Sequence, residues 1–195
     1  MPATMEAPAT IRAPKAVMWT REDCRKLEGI GALPARWELV QGDIVSKMGI
    51  NLPHGRISGL IAEWIVGKFP KGRLVLASKI DVSPEDNPTS EPEPDLTILN
   101  ISSRTLGRNP VPAEIDLLIE VSDTTLAFDL GPKAGLYARA GIQEYWVLDI
   151  NARVIHQHRE PSAQGYNFRR TVTGVNVLAP LAKPDATLTP AEIFE

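Results

Sequence analysis

The chain has 195 residues, of which 43% are hydrophobic and 23% charged, and its formal net charge at pH 7 is -3. This composition allows one globular domain with a sizeable core and excludes disorder throughout the chain. The acidic balance excludes a strongly basic body that binds nucleic acid through bulk charge, so any contact with nucleic acid must be local.

The sequence favours a cytoplasmic protein. Its single cysteine, Cys24, cannot form a disulfide within the chain, and a Cys-rich zinc framework is absent from the sequence. Residues 1–18 are rich in Ala and Pro and lack the apolar block of a signal peptide, and no stretch reaches the ~20 apolar residues that span a bilayer. We therefore predict a flexible lead-in over residues 1–18 and one domain over residues 19–195.

The first part of the chain contains signals for a short helix, a hairpin and a longer helix. Thr20 followed by Asp23 is typical of an N-cap with an acidic first turn, which predicts a helix over residues 20–27. In WELVQGDIVSKM, Gln41-Gly42 separates two β-prone runs and predicts a tight hairpin. From His54 onward, apolar residues follow the spacing of an amphipathic helix: Ile57, Leu60, Ile61, Trp64 and Ile65.

The remainder predicts strands with one helix among them. RLVLASKIDVS (73–83) alternates as a half-buried strand of about ten residues, whereas PDLTILN (94–100) and IDLLIEV (115–121) predict short interior strands. KAGLYARA (133–140) predicts a helix that ends at Gly141, and EYWVLD and RVIHQH predict two further strands. The pattern predicts a mixed α/β (α+β) fold, with a mixed central β-sheet flanked by helices.

Three charged side chains fall at positions that are predicted to be buried. Asp95 begins the apolar strand 94–100, and Glu120 lies on the face of strand 115–121 that is opposite its apolar row. Lys133 heads a helical stripe that continues with Leu136, Tyr137 and Ala140. Because charges are rarely buried unless they are paired or bind a metal, we expect these three side chains to meet in one place.

A divalent cation would stabilise such a cluster. Two carboxylates 4 Å apart repel by about 4 kcal/mol at an effective dielectric constant near 20, which is enough to raise the pKa of one of them. Hard oxygen ligands favour Mg²⁺ or Mn²⁺, and Mg²⁺ commonly keeps several waters that leave room for a substrate phosphate. Asp95 and Glu120 are therefore the candidate metal ligands, with Lys133 beside them.

The order of these residues resembles a known nuclease pattern. Pro94-Asp95 followed by IEV at 119–121 resembles the PD-(D/E)XK nuclease superfamily. The segments ELVQGDIV, PHGRISGLIAEWI, PEPDLTIL, LLIEVSD and FDLGPKAGLYARAGIQEYWVLD are similar to the Uma family of bacterial restriction endonucleases. One departure from the wider superfamily is Ser122, which stands where a standard E-x-K triplet has Lys. In the Uma pattern the lysine comes from the following helix, and Lys133 occupies that place.

The resemblance implies a restriction-endonuclease-like core that carries out metal-assisted hydrolysis of DNA phosphodiester bonds. Asp95 and Glu120 would bind Mg²⁺ or Mn²⁺, and Lys133 would orient the attacking water or offset charge on the phosphate. Glu38, in ELVQG, would complete the metal site or support it, and His54 would contact phosphate or cap its helix. Together with the aromatic segment EYWVLD, the resemblance also suggests a homo-oligomer, with a dimer as the expected form.

The same residues permit interpretations of other kinds. Asp95 could cap backbone amides, Glu120 could form a structural ion pair, and Lys133 could extend to solvent. The fold would then serve a non-catalytic, oligomeric binding or regulatory protein, which the pI of about 5.7 and the lack of a Lys/Arg run favour. A third alternative is a phosphohydrolase that acts on small nucleotides.

Structural roles are expected for the other charged residues of interest. Asp129 is placed to cap the helix that carries Lys133. Glu91 and Glu93, in a Pro-rich loop, are expected to face solvent. His156 and His158 share one strand face, and two histidines without a third ligand are more typical of a solvated strand surface than of a metal site.

Overall fold

A computed structural model describes residues 17–47 and 51–195 of the chain. Most of the lead-in predicted over residues 1–18 therefore lies outside the described residues. Within the described ranges, the helices are all too short or too polar to cross a membrane.

Helices, strands and short turns alternate along the described chain. The helices are α1 (Arg21–Gly29), α2 (Leu52–Lys68), α3 (Leu126–Phe128), α4 (Ala134–Arg139) and α5 (Pro190–Phe194). A π turn (Asp129–Lys133) joins α3 to α4, and 3₁₀ turns cover Asn87–Thr89, Ser103–Thr105 and Pro112–Glu114. The strands are β1 (Trp37–Val40), β2 (Asp43–Ser46), β3 (Leu74–Leu76), β4 (Leu96–Leu99), β5 (Ile115–Ser122), β6 (Glu144–Asp149), β7 (Val154–Ser162) and β8 (Gly165–Thr173).

The main sheet has six strands in the order in which they occur in the chain, from β3 to β8. Strands β5 and β6 are parallel, and the other neighbouring pairs are antiparallel. A parallel pair requires a crossover connection, and the helical run from α3 to α4 provides it. The predicted mixed sheet flanked by helices is therefore confirmed.

Each face of the main sheet is covered by a separate apolar core. On one face, Ile57 and Ile61 of α2 and Phe194 of α5 pack with Ile119 and Trp146 of the sheet. On the other face, Tyr137 of α4 packs with Leu118, Tyr145 and Val147 of the sheet. The central strand β5 contributes alternate residues to the two cores, as the period of a strand requires. Glu120 lies on the α4 face, next to Val147 in the parallel register.

The hairpin of β1 and β2 forms a second, two-stranded sheet, as predicted. Its turn places Gln41 and Gly42 at φ of 53° and 85°, which are the positive values that a tight hairpin turn requires. Backbone hydrogen bonds between Leu39 and Glu91 attach the hairpin to the rest of the protein, together with a bond from the amide of Gly42 to the carbonyl of Thr89. The hairpin thus lies beside the main sheet without joining it.

The strand predicted over residues 73–83 is wrong beyond Leu76. Ala77 has a φ of 43°, a left-handed conformation that ends β3. Ile80 and Val82 are buried as the alternation requires, but they are buried from an irregular segment whose amides bond to the Pro-rich loop, for example Ile80 to the carbonyl of Pro92. Apolar alternation was therefore right about Ile80 and Val82, wrong about Leu76, which is exposed, and overestimated the length of the strand.

The helix predicted over residues 133–140 begins earlier, at Leu126. Pro132 lies inside it and cannot donate a backbone hydrogen bond, and the chain there forms the π turn instead of a regular α-turn. Asp129 lies within this run, so its predicted capping role is wrong. Its Oδ2 accepts hydrogen bonds from the hydroxyl groups of Ser122 and Thr125, which ties the helix to the end of β5.

The solvated surface predicted for the two histidines of β7 is wrong for His158. This side chain is 5% exposed and lies between the rings of Tyr145 and Tyr166, with centroid distances of 5.6 and 5.7 Å. Burial, together with the charge of Arg169, lowers the pKa of His158 to about 4.

This burial makes the protein sensitive to acid. The unfolded chain binds a proton at the ordinary histidine pKa of about 6.5 and the folded chain only near 4, so stability is full above pH 6.5 and falls as the pH decreases towards 4. By pH 5 the loss from this residue should reach about 2 kcal/mol. Urea unfolding at pH 7 and pH 5 measures it. In His158→Phe the drop should shrink by that amount, and an unchanged drop would contradict the assignment.

Candidate active site

Two carboxylates converge where β4 begins and β5 ends. Asp95 immediately precedes β4, and the antiparallel register that pairs Leu96 with Ile119 places Asp95 beside Glu120. The amide of Val121 donates to Asp95 Oδ2 at 2.9 Å, and the amide of Asp95 lies 3.3 Å from Glu120 Oε2. Each carboxylate is thus held by the backbone next to the other, and both line one pocket of about 140 Å³.

Lys133 reaches this pair from the π turn. Its side chain is almost fully buried, and its Nζ lies 2.8 Å from Glu120 Oε1 and 2.9 Å from Glu38 Oε2. Tyr137, one turn further along in α4, donates its hydroxyl to the same Glu120 oxygen at 3.1 Å. The structure therefore brings together Asp95, Glu120 and Lys133, and the alternative of a lysine that extends to solvent is wrong.

Glu38 enters the site from β1 of the hairpin. Its Oε2 contacts Lys133 and also accepts the amide of Glu93 at 3.0 Å. Glu38 is buried and is a second carboxylate partner of Lys133, in addition to Glu120. The Pro-rich loop that carries Glu91 and Glu93 is part of this arrangement. Both of these glutamates are buried, so their predicted exposure to solvent is wrong.

His54 lies at the rim of the pocket near the start of α2. Its ring Nε2 is 3.3 Å from Asp95 Oδ2. The predicted capping alternative is wrong, because Asn51 is the N-cap and accepts the amide of His54 at 2.9 Å. His54 therefore has its imidazole directed at a candidate metal ligand.

Lys47 is a site residue that sequence reasoning missed. It follows β2, and its Nζ lies 3.3 Å from Asp95 Oδ1 while also donating to the backbone carbonyl of Glu93. The hairpin register contains the signal that could have found it. Glu38 pairs with Val45, and Lys47 is two residues further on, so strand geometry puts Lys47 on the same face of the hairpin as Glu38.

The pKa values of the two carboxylates are displaced in opposite directions. Burial raises the pKa of Glu120 to about 8, although Lys133 lowers it. For Asp95, burial also raises the pKa, but His54, Lys47 and the Val121 amide outweigh it and hold the pKa well below its usual range. The pKa of Lys133 is lowered by burial and raised much further by Glu120, Glu38 and Asp129, so the amine remains an ammonium.

The donor set fits a hard divalent cation that keeps most of its water. Among residues 17–47 and 51–195, no three or more His, Cys, Asp or Glu side chains form a cluster arranged to hold a metal. Of the carboxylates that line the pocket, Asp95 and Glu120 are held next to each other by backbone amides, and Glu120 Oε2 accepts only the long bond from the amide of Asp95 among the described residues. Mg²⁺ commonly binds proteins through one or two carboxylates and several waters, which matches this pair.

The model of the Uma2 family, which is described as "Putative restriction endonuclease", matches residues 22–191 of the chain, which is most of the sequence. The chain belongs to the Uma2 family. The Uma2 match includes both hairpin strands, the Asp95–Glu120 pair and the helical run that carries Lys133. The family resemblance predicted from the sequence is confirmed.

A solved structure with a similar fold comes from Anabaena variabilis ATCC 29413 and is described as "a putative nuclease belonging to DUF820". It is 15% identical in sequence to this Uma2 protein, the TM-score is 0.64, and the alignment covers 86% of this chain and 96% of that one. At this identity the likeness shows the fold, and the predicted restriction-endonuclease-like core is confirmed. A search among curated proteins gives no match.

Proposed function

We propose that this Uma2 protein is a metal-dependent endonuclease that hydrolyses phosphodiester bonds in DNA. In this proposal Asp95 and Glu120 hold Mg²⁺ or Mn²⁺, and Lys133 assists the reaction. The observation that carries the proposal is the meeting of these three side chains at one pocket, with Lys133 Nζ 2.8 Å from Glu120 and the Asp95 amide 3.3 Å from the same carboxylate.

In this proposal the residues of the site have different roles in hydrolysis. A bound divalent cation would polarise the phosphate and lower the pKa of a coordinated water. Asp95 and Glu120 would supply the oxygens that hold the cation, and Glu120 would release its proton when the cation binds. Lys133, kept charged and oriented by Glu38 and Glu120, offsets negative charge that develops on the phosphate or orients the attacking water. His54, at the rim, would contact the phosphate.

Plasmid cleavage with Mg²⁺ or Mn²⁺ tests this assignment. Asp95→Asn, Glu120→Gln and Lys133→Gln should each lower the cleavage rate per folded molecule by about 10²-fold or more, because each removes a charge that acts on the transition state. Circular dichroism establishes the folded fraction. Glu114→Gln is a matched control, because Glu114 forms its ion pair with Arg108 away from the pocket and this variant should cleave like the parent protein.

The outcomes separate the competing functions. Equal cleavage by the parent protein and all three site variants would contradict the proposal. Calorimetry that detects no Mn²⁺ binding in the millimolar range, with no loss of stability in Glu120→Gln, would favour a non-catalytic binding or regulatory protein. Turnover of small nucleotides without cleavage of DNA would favour the phosphohydrolase.

A further inference from the structure

The two oxygens of Asp95 have different partners. Oδ2 accepts the amide of Val121 at 2.9 Å and lies 3.3 Å from the ring of His54. In the part of the chain that the structure describes, the contact to Oδ1 comes from Lys47, at 3.3 Å. Oδ1 is therefore the oxygen of Asp95 that becomes available to another cation if Lys47 moves.

Lys47 and a divalent cation cannot both bind Asp95 Oδ1 at the same time. An ammonium group has three donors and no lone pair, so it cannot ligate a metal or share the lone pairs that a metal uses. Two positive charges at contact distance also repel strongly in a partly buried site. His54 does not compete for this oxygen, because its ring contacts the other one, Oδ2.

The anchoring of Lys47 allows it to leave Asp95 without leaving the pocket. Its Nζ also donates to the backbone carbonyl of Glu93 and lies 3.9 Å from the Glu93 carboxylate. The Lys47 side chain is 14% exposed, and it lines the same pocket as the buried Lys133. An ammonium released from Asp95 would still have Glu93 as a partner.

We propose that Lys47 is an internal counter-cation that occupies Asp95 in the metal-free protein and that a divalent metal ion must displace. This inference rests on the proposed function, since it requires Asp95 to be a metal ligand. Lys47 acts on the metal through Asp95 and is thus a positioning residue. Its presence weakens metal binding to the free protein and stabilises the site when the metal is absent.

Isothermal calorimetry with Mn²⁺ tests the competition without measuring activity. In Lys47→Met the dissociation constant for Mn²⁺ should fall about tenfold, because the metal no longer has to displace an ion-pair partner. Lys47→Arg keeps a cation and should bind Mn²⁺ like the parent protein. Lys79→Met is a matched control, because Lys79 forms a partly buried pair with Glu91 at 3.2 Å away from the pocket, and it should leave the dissociation constant unchanged.

Thermal unfolding gives a second measurement. In EDTA, Lys47→Met should unfold at a lower temperature than the parent protein, because Asp95 has lost its counter-cation. In saturating Mn²⁺ this difference should shrink, because the metal replaces the missing charge. A lysine with a purely structural role would lower the unfolding temperature equally in both conditions.

The results distinguish failure of this inference from failure of the proposed function. If the parent protein binds Mn²⁺ and Lys47→Met binds it equally or more weakly, the counter-cation role is overturned and the metal site stands. If neither protein binds Mn²⁺, both proposals are overturned. Mn²⁺ binding that is detected in Lys47→Met and not in the parent protein would support strong competition between Lys47 and the metal for Asp95.

Discussion

Replacing Lys133 with methionine is expected to lower the free energy of unfolding by about 3–5 kcal/mol at pH 7, because breaking a buried ion pair leaves uncompensated charge behind. Lys133 is 1% exposed, and its Nζ lies within 4.0 Å of carboxylate oxygens of Glu38, Glu120 and Asp129. Methionine preserves much of the volume of lysine and removes the charge, so the change reports mainly the loss of the cation. Urea unfolding of the parent and the variant measures it.

The pH dependence of this loss has a defined sign. Lys133 lowers the pKa of both Glu120 and Asp129, so both pKa values rise when it is removed. The folded variant then binds more protons than the folded parent protein, and the stability difference between them should narrow as the pH falls from 8 to 5. A difference that is constant over this range would contradict the electrostatic explanation.

A surface pair provides the control for Lys133. Lys183 lies 3.0 Å from Asp185, and the Asp185 side chain is 76% exposed. Exposed pairs contribute about 1 kcal/mol or less, so Lys183→Met should unfold almost like the parent protein.

Replacing Glu144 with leucine is also expected to lower the free energy of unfolding by about 3–5 kcal/mol. Glu144 is fully buried at the start of β6 and accepts hydrogen bonds from the side chains of Trp146, Gln157 and Arg159 and from the amide of Leu181. Leucine would leave all of these donors without their acceptor and Arg159 without its counter-ion. The C-terminal segment would also lose an attachment to the main sheet.

A double-mutant cycle tests the origin of this cost. Replacing Arg159 with leucine as well removes the stranded charge, so the double variant should recover much of the stability lost in Glu144→Leu. Strictly additive losses would contradict the buried-pair explanation. Glu22→Leu is a control, since Glu22 and Lys26 form an exposed pair on α1, and it should change the free energy of unfolding by no more than about 0.5 kcal/mol.

Local periodicity was sufficient to predict much of this structure. The alternation in strand 115–121 placed Glu120 on the face opposite the apolar row, and the helical spacing after Lys133 placed its side chain inward. Both inferences use only the geometry of one element, and both side chains are buried as predicted, although Lys133 lies in the π turn that precedes α4. The strand over 73–83 failed because Ala77 turns the chain directly after Leu76, which is itself exposed, and the alternation of apolar residues does not reveal such a turn.

The partners within the site were harder to predict because they depend on how separate elements meet. The contact between Lys47 and Asp95 requires the hairpin to dock beside β4, and the hydroxyl groups of Ser122 and Thr125 meet Asp129 only because the helix starts at Leu126. No spacing within one segment encodes such long-range placement. The family resemblance identified the ionic residues in order, and the coordinates supplied their pairings.

The hairpin of β1 and β2 is attached to the main sheet less firmly than the strands of that sheet are attached to one another. Two charges of the site, those of Glu38 and Lys47, belong to a small unit that is joined to the body by few backbone bonds. Such a unit can detach transiently while the six strands persist, since protein segments open locally at lower free energy than the whole. Substitutions along that junction are therefore expected to move Glu38 and Lys47 away from the pocket while the temperature of global unfolding stays nearly unchanged.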